Sequence, residues 1–462
     1  MESVSRRAAL RAGVVTTALV GGAVAAAPSP AAASVEPGWV SVLDHGAVGD
    51  GVTDDTAAIR AAVAAAAASS PHRSISFPAG HTFKVSDGIT VTGLSDFVIS
   101  GYGATLALAG GLPSANGSRT MLRLVDCRRF KVLGLSLHDR DRVQSYTGLG
   151  MTGCTSGVID GVTVREVRFN GIIVFDGVPG RSRDLTITNC TTEGTRFGIS
   201  TNGTDVRIVD NHVAMYWPST AEAAAKGGVW SAPSDYYDGI CVWAGGDRTV
   251  ISGNTVTECG QAGVYTEAVT NLVVADNTVT GCQLRGIEID GTKAVDGTPT
   301  GRAYGVSITG NVVTNCIGHI NLVRAQDVTV AANRIENPNP ARAVSCIAVN
   351  TGTTNTVAVG NHVRQAHASF PAVYVTGAAT GISLTWNAVD AAVPYQAPAE
   401  AVIIHRGGPG QIKTTGKIIA GGGIGVGNSA VANNLGSVVR RIEVFSSTGA
   451  SLGYIPVYNS IT

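Results

Sequence analysis

Asparagine closes one short apolar run after another along this chain. The runs read LTITNC, RIVDNHV, TVISGNTV, LVVADNTV, VSITGNVV, VTVAANRI, VAVGNHV and SLTWNAV, which sets Asn189, Asn211, Asn254, Asn277, Asn311, Asn333, Asn361 and Asn387 in one register. Neighbours stand as close as 22 residues (Asn189 to Asn211) and 23 residues (Asn254 to Asn277). A β-rich segment of that length cannot bury its own apolar side chains, whereas stacked coils share one interior. The period therefore predicts a parallel β-helix. A side-chain amide at a tight corner bonds the coils above and below and tolerates left-handed backbone, so the asparagines are read as a structural ladder.

Composition fits such a solenoid. Of 462 residues 44% are hydrophobic, only 14% are charged and 59 are Gly, which describes a chain able to bury a long core. Thirty-three basic residues balance thirty-three acidic ones, so no global field directs the chain to nucleic acid or to an anionic membrane, and neither is expected as a partner. Ser5-Arg6-Arg7 precedes an apolar run, Ala12 to Ala27, and small residues near Ala31-Ala32-Ala33. Residues 1–33 are read as a twin-arginine-type signal peptide, removed on export to leave a secreted protein. The run falls short of the roughly 20 residues that a membrane span needs.

Eight cysteines do not by themselves imply disulfides, because twin-arginine substrates cross the membrane already folded from a reducing compartment. Cys259, Cys282 and Cys316 each follow a ladder asparagine by five residues and are expected to stack as small apolar groups, with pairing the alternative. No C-x-x-C suggests a metal, and no residue is assigned to one.

Each coil also carries a second strand: NGIIVFD, FGISTNG, DGICVWA, AGVYTEA, RGIEIDG, GHINLVR, SCIAVNT and PAVYVTG. Alternation turns Ile240/Val242, Val264/Thr266, Ile287/Ile289 and Ile320/Leu322 inward. Two outward columns remain. The first reads Ile173, Ser200, Cys241, Tyr265, Glu288, Asn321, Ala348, Tyr374, and the second Phe175, Asn202, Trp243, Glu267, Asp290, Val323, Asn350, Thr376. Acids thus occupy adjacent rungs beside Trp243 and Tyr265. Rungs lie about 4.8 Å apart and alternate residues about 6.6 Å apart, so Glu267, Glu288 and Asp290 are expected within roughly 5–8 Å of one another. Carboxyls held that close repel, raising one pKa and leaving another ionised, as an acid/base pair requires. Glu267 and Asp290 are the expected central acids, with Glu288 and Asp238 supporting or replacing one of them. The alternative is a solvated acidic sheet face.

Two departures from the period border this patch, roughly Ala214–Tyr237 and Gly291–Tyr304. The first is rich in aromatic residues in a chain with 5% of them, and exposed aromatics beside carboxylates suit stacking on sugar rings. Trp243, Tyr265, Asp235, Tyr237, Arg285, Arg324 and Asn321 are the candidate substrate-binding residues.

Leu43 to Ser69, LDHGAVGDGVTDDTAAIRAAVAAAAAS, resembles the N-terminal signature of the pectate-lyase-like superfamily, with His45 in place of the usual aromatic. On its own terms the stretch is a Gly49-Asp50-Gly51 turn, a cap at Asp54 or Asp55 and an Ala-rich helix, Thr56–Ala68, covering an open first coil. The resemblance implies an all-β fold: a single-stranded, right-handed parallel β-helix (pectin lyase-like) with an N-terminal capping helix and a small C-terminal β region. The boundaries read 38–75 for the cap, 76–390 for the β-helix and 391–462 for a connector and C-terminal β cap. It also implies action on a polysaccharide or oligosaccharide, since the superfamily includes polygalacturonase-like hydrolases, lyases, epimerases and phage tailspike enzymes. The polygalacturonase set of Asn-Thr-Asp, Asp-Asp, Gly-His-Gly and Arg-Ile-Lys is not found, nor is the epimerase motif Tyr-Gly-x-Asp-Pro-His. DGICVWAGGDRTVISGN resembles the β-helical inulin fructotransferases, in which an Asp preceding such a strand is catalytic, and this points to Asp238.

Three functions follow in order. The first is a secreted enzyme cleaving or rearranging glycosidic bonds by carboxylate acid/base hydrolysis or transglycosylation, with no cofactor required. The second is a lyase using β-elimination, with an Arg or Lys base and possible calcium held by the acids. The third is a non-catalytic glycan-binding solenoid.

Overall fold

The computed structural model describes residues 38–69, 71, 73–109, 120–139, 147–167, 169–215, 238–291, 301–398, 401–406, 412–414, 438–445 and 451–458, and the counts below refer to these. Residues 1–37, with the expected signal, lie outside them.

Three long sheets carry the architecture. One has 15 strands, from Trp39–Ser41 to Val402–Arg406 and its antiparallel neighbour Ile412–Thr414. A second has 13 strands, from Asp50–Asp54 to Ala388–Ala391, and the third has 12, from Ile89–Thr92 to Val393–Gln396. Within each, a strand pairs in parallel with its equivalent in the next coil, as Val264↔Ile287↔Ile320↔Ile347 illustrates. This is the right-handed parallel β-helix that the repeat and the resemblance imply. One apolar interior runs through it, built from residues such as Ile208, Ile251, Val274 and Ile308 of the first sheet facing Ile240, Val264 and Ile287 of the third.

The one helix, Thr56–Ala67, buries Thr56, Ile59, Ala62 and Ala66 at helical spacing against the first coil. Its acids do the work of turns. Asp54 accepts the Thr56 N–H at 3.0 Å, Asp55 accepts Val48 N–H and Gly49 N–H at 2.6 and 3.1 Å, and Asp50 accepts Val52 and Thr53 N–H groups. No described helix is long and apolar enough to cross a membrane. Near the C-terminus Val438–Phe445 and Ser451–Tyr458 pair as an antiparallel hairpin.

The asparagine ladder runs from Asn211 through Asn254, Asn277, Asn311, Asn333 and Asn361 to Asn387, all buried. Each Nδ2 donates to the next Oδ1 at 2.8–2.9 Å, and each backbone N–H donates to that same oxygen. Asn189 is not part of it. That residue is exposed, has a φ of 51° and donates to Asp160, whereas Cys190 offers its N–H to Asn211 Oδ1. Asn189 stands where Asp210, Gly253, Asp276 and Gly310 stand, on the left-handed residue just before the ladder slot. Asparagine suits both positions, so the sequence register slipped by one there.

All eight cysteines are free and buried. Cys259, Cys282 and Cys316 pack where the glycines of the third sheet leave room. A Cβ on Gly239, Gly263 or Gly286 would meet these sulfurs at 2.9, 3.1 and 3.4 Å, and Val256, Val279 or Val313 at 2.3–2.4 Å. Glycine opens each of these strands because the neighbouring corner fills its space.

Candidate functional site

The third sheet carries both outward columns in the register read from alternation. Cys241 pairs with Tyr265, Tyr265 with Glu288, Glu288 with Asn321, Asn321 with Ala348, and Glu267 with Asp290. Thr266 and Ile289 between them point into the core. Three acids therefore emerge from two adjacent strands, Ala262–Glu267 and Arg285–Asp290, and Asp238 lies just ahead of Ile240–Val242 one rung below.

Each acid has its own surroundings. Asp238 is 3% exposed and accepts the Ala262 N–H at 3.0 Å. Burial pushes its carboxyl up to about 7, and the charges of Glu288 and Glu267 add to the rise. Glu267 is half-buried and also raised, by burial first and then by Asp290, against the Tyr265 hydroxyl that donates to its Oε1 at 3.1 Å. Glu288, half-buried, accepts the Asn321 Nδ2 at 2.8 Å. Asp290 is 8% exposed and ion-pairs with Arg324, whose guanidinium also donates to the Gly291 carbonyl at 2.6 Å. The four do not close around one point: no group of three or more His, Cys, Asp or Glu among the described residues could hold a metal ion.

The aromatic candidates sit below the acids. Trp243 is wedged edge-to-face between Phe197 and Tyr265, with centroids 5.3 and 6.3 Å away. Burial and the neighbouring acids push the Tyr265 hydroxyl far up, so it serves as a donor. Arg324 is committed to Asp290, whereas Arg285 lies along Gly318, where a Cβ would meet its Nη1 at 2.6 Å. Asp235 and Tyr237 fall outside the described residues, as do most of both expected border loops.

A cavity of about 480 Å³ opens on the other side of the acids, lined among others by Arg285, Asn321, Asn350, Phe370, Tyr374 and Gln396. Of the candidate residues only Arg285 and Asn321 line it. The acids stand at its margin, joined to it by the Asn321–Glu288 hydrogen bond. Sequence reading missed Asn350, Phe370 and Tyr374 as site residues. Asn350 and Tyr374 were visible in the outward columns, two and three strands beyond Arg285–Asp290, but Phe370 precedes its strand and alternation says nothing about it.

Residues 147–300 match the family described as right handed beta helix region, and residues 39–120 match the family described as rhamnogalacturonase A/epimerase, pectate lyase-like. The two matches fall on the β-helix and on its N-terminal cap, where the resemblance to the pectate-lyase-like superfamily places them. A tail spike protein of Salmonella phage epsilon15 is 25% identical over 312 residues, which is 59% of this chain and 28% of that protein. The chain therefore spans under a third of that relative's length. Among solved structures, the Dettilon tailspike protein is similar with a TM-score of 0.62 and 18% identity, covering 79% of this chain and 70% of that one. The A-module of a mannuronan C-5 epimerase of Azotobacter vinelandii has a TM-score of 0.53 and 19% identity, covering 78% and 97%. At these identities the structural likeness is one of fold.

Proposed function

We propose that this chain is a secreted enzyme of the pectate-lyase-like superfamily that cleaves or rearranges glycosidic bonds of an extracellular polysaccharide, by carboxylate acid/base hydrolysis or transglycosylation. One observation carries the reading: Asp238 lies within electrostatic reach of both Glu267 and Glu288, burial raises the carboxyls of Asp238 and Glu267, and Glu288 accepts an amide N–H. The superfamily supports a glycan substrate, as does the epimerase neighbour, whose name carries a polysaccharide.

Glu267 is the proton donor in this reading. It is partly open, and burial raises its carboxyl, which shifts it toward the neutral form that a proton donor needs. Glu288 is the ionised partner, either activating water or attacking the sugar, because an amide N–H donor favours a carboxylate. The sequence paired Glu267 with Asp290 instead. The Arg324 ion pair makes Asp290 better suited to hold the strand end and shape the field. Asp238, nearly closed off, acts on its neighbours by holding or losing a proton. The cavity from Arg285 to Gln396 receives sugar units on the Glu288 side, with Phe370 and Tyr374 offering ring faces.

No cofactor enters this reading, and calcium belongs to the lyase alternative. The test is a screen over pectic, alginate, fructan and glucan polymers, following new reducing ends and the absorbance of unsaturated uronates, with and without a chelator. New reducing ends, or transfer products, without unsaturated uronates support hydrolysis or transglycosylation. Unsaturated uronates lost on chelation and regained with calcium overturn it in favour of elimination. Tight binding of a polymer with no product marks a glycan-binding solenoid.

A further inference from the structure

The cavity beyond the acids is shaped by a small side chain. The outward column continues from Glu288 through Asn321, Ala348 and Tyr374 to Gln396, each paired with the next. Ala348 brings only a methyl group to it, so a hollow opens there between Asn321 and Tyr374. Val344 and Pro371 add further aliphatic wall, beside the partly exposed ring of Phe370.

Among the described residues that line the cavity, Arg285 is the one that carries charge. His319 shares the wall, but burial lowers its pKa to about 4 and leaves the ring neutral near pH 7. Arg324 is spent on Asp290, whereas Arg285 pairs with no carboxylate among the described residues. Its Nη1 donates to the adjacent Leu284 carbonyl at 3.3 Å, and its Nε is buried with no partner. The side chain lies across Gly318 on the next coil, where a Cβ would meet Nη1 at 2.6 Å. The guanidinium therefore reaches one rung toward the strand of Ala348, leaving about 5 Å, the spacing of one more rung.

These two features make separate demands on a ligand. A half-enclosed guanidinium without a counter-charge selects a ligand that brings an anion, which its planar fork can grip. A hydroxyl set against Ala348, Val344 and Pro371 would lose water with nothing to replace it, whereas a methyl group gains from the same burial. We propose that the hollow is a subsite for a sugar unit carrying both an anion and an acyl group, with the anion against Arg285 and the acyl methyl above Ala348. The Tyr374 ring meets a face of the sugar. That this unit belongs to the polymer cut by the acids rests on the function proposed above, whereas the subsite itself does not.

Binding of four oligosaccharides to the full-length protein, followed by titration calorimetry at up to millimolar ligand, separates the two demands. Oligomers of N-acetylneuraminate carry both groups, those of galacturonate the anion alone, those of N-acetylglucosamine the acyl group alone, and those of glucose neither. The first should bind about tenfold or more tightly than either single-feature oligomer. Arg285→Gln should abolish the preference for galacturonate over glucose. Ala348→Leu, which fills the hollow, should abolish the preference for N-acetylglucosamine over glucose and keep the preference for the anion. Both variants should melt within a few degrees of wild type. Equal binding of all four by wild type, binding of none, or a preference for only one of the two groups overturns the subsite, as do preferences that survive in both variants. Cleavage in the polymer screen without this ranking removes the subsite and leaves the proposed function standing. The ranking with no product from any polymer keeps the subsite and removes that function.

Discussion

Asn277 holds three coils together. Its Oδ1 accepts two donors from Asn254, its Nδ2 donates to Ile251 O and Asn311 Oδ1 at 2.9 Å each, and it is 1% exposed. Leucine at this point strands donors on one side and acceptors on the other. Asn277→Leu should therefore cost about 2–4 kcal/mol in denaturant unfolding while leaving the acids in place. An unchanged stability with lost turnover would make the column functional instead. Asp238 gives a prediction in pH. Its folded value of about 7 lies above the ordinary 3.8, so between those limits the folded chain keeps a proton that the unfolded chain has lost. Its contribution to stability is complete below pH 4 and is lost as pH rises through 7. Wild type should lose several degrees of melting temperature across that window, and Asp238→Asn should flatten the slope. Equal slopes would mean that Asp238 is not the buried titrating group.

Strand pattern explains what was legible and what was not. Alternation fixed the face of Glu267, Glu288 and Asp290 because a slip by one would bury unpaired acids under an apolar interior. It could not fix how open that face is. Cys241 and Ser200 stand in the outward column and yet are fully buried, and Asp290 is nearly so. Nor could it reveal that Arg324 belongs to Asp290, because that bond joins a turn on one coil to a strand end on another. The Asn189 slip has a similar origin: the residue before the ladder slot tolerates asparagine as readily as the slot does. The glycine opening each strand was visible as a repeated letter, but its reason lies in the neighbouring corner. Gly198, one coil before Asp238, shows it, since a Cβ there would meet Gly239 O and Val213 Cγ1 at 2.5 Å each. Gly198→Ala should destabilise by about 1–3 kcal/mol through overpacking, measured by thermal melting. No change would mean that the corner is looser than the packing implies.

Across the β-helix, every coil restates the same columns, and chemistry depends on what a few rungs place on one face. A parallel sheet sets its columns a fixed distance apart, so acids on neighbouring rungs are brought together by the fold with no loop to hold them. The period was readable because every coil restates it, whereas the cavity was not, because Phe370 enters it from ahead of its strand and Gln396 from the coil beyond Tyr374. The central claim is that Glu267 and Glu288 are the working acid and carboxylate. Turnover of Glu267→Gln and Glu288→Gln, measured on whichever polymer the screen converts and on protein with wild-type melting behaviour, tests it most directly. The account predicts a fall of about 10²–10⁴-fold in each, and full activity in both would place the chemistry elsewhere on the solenoid.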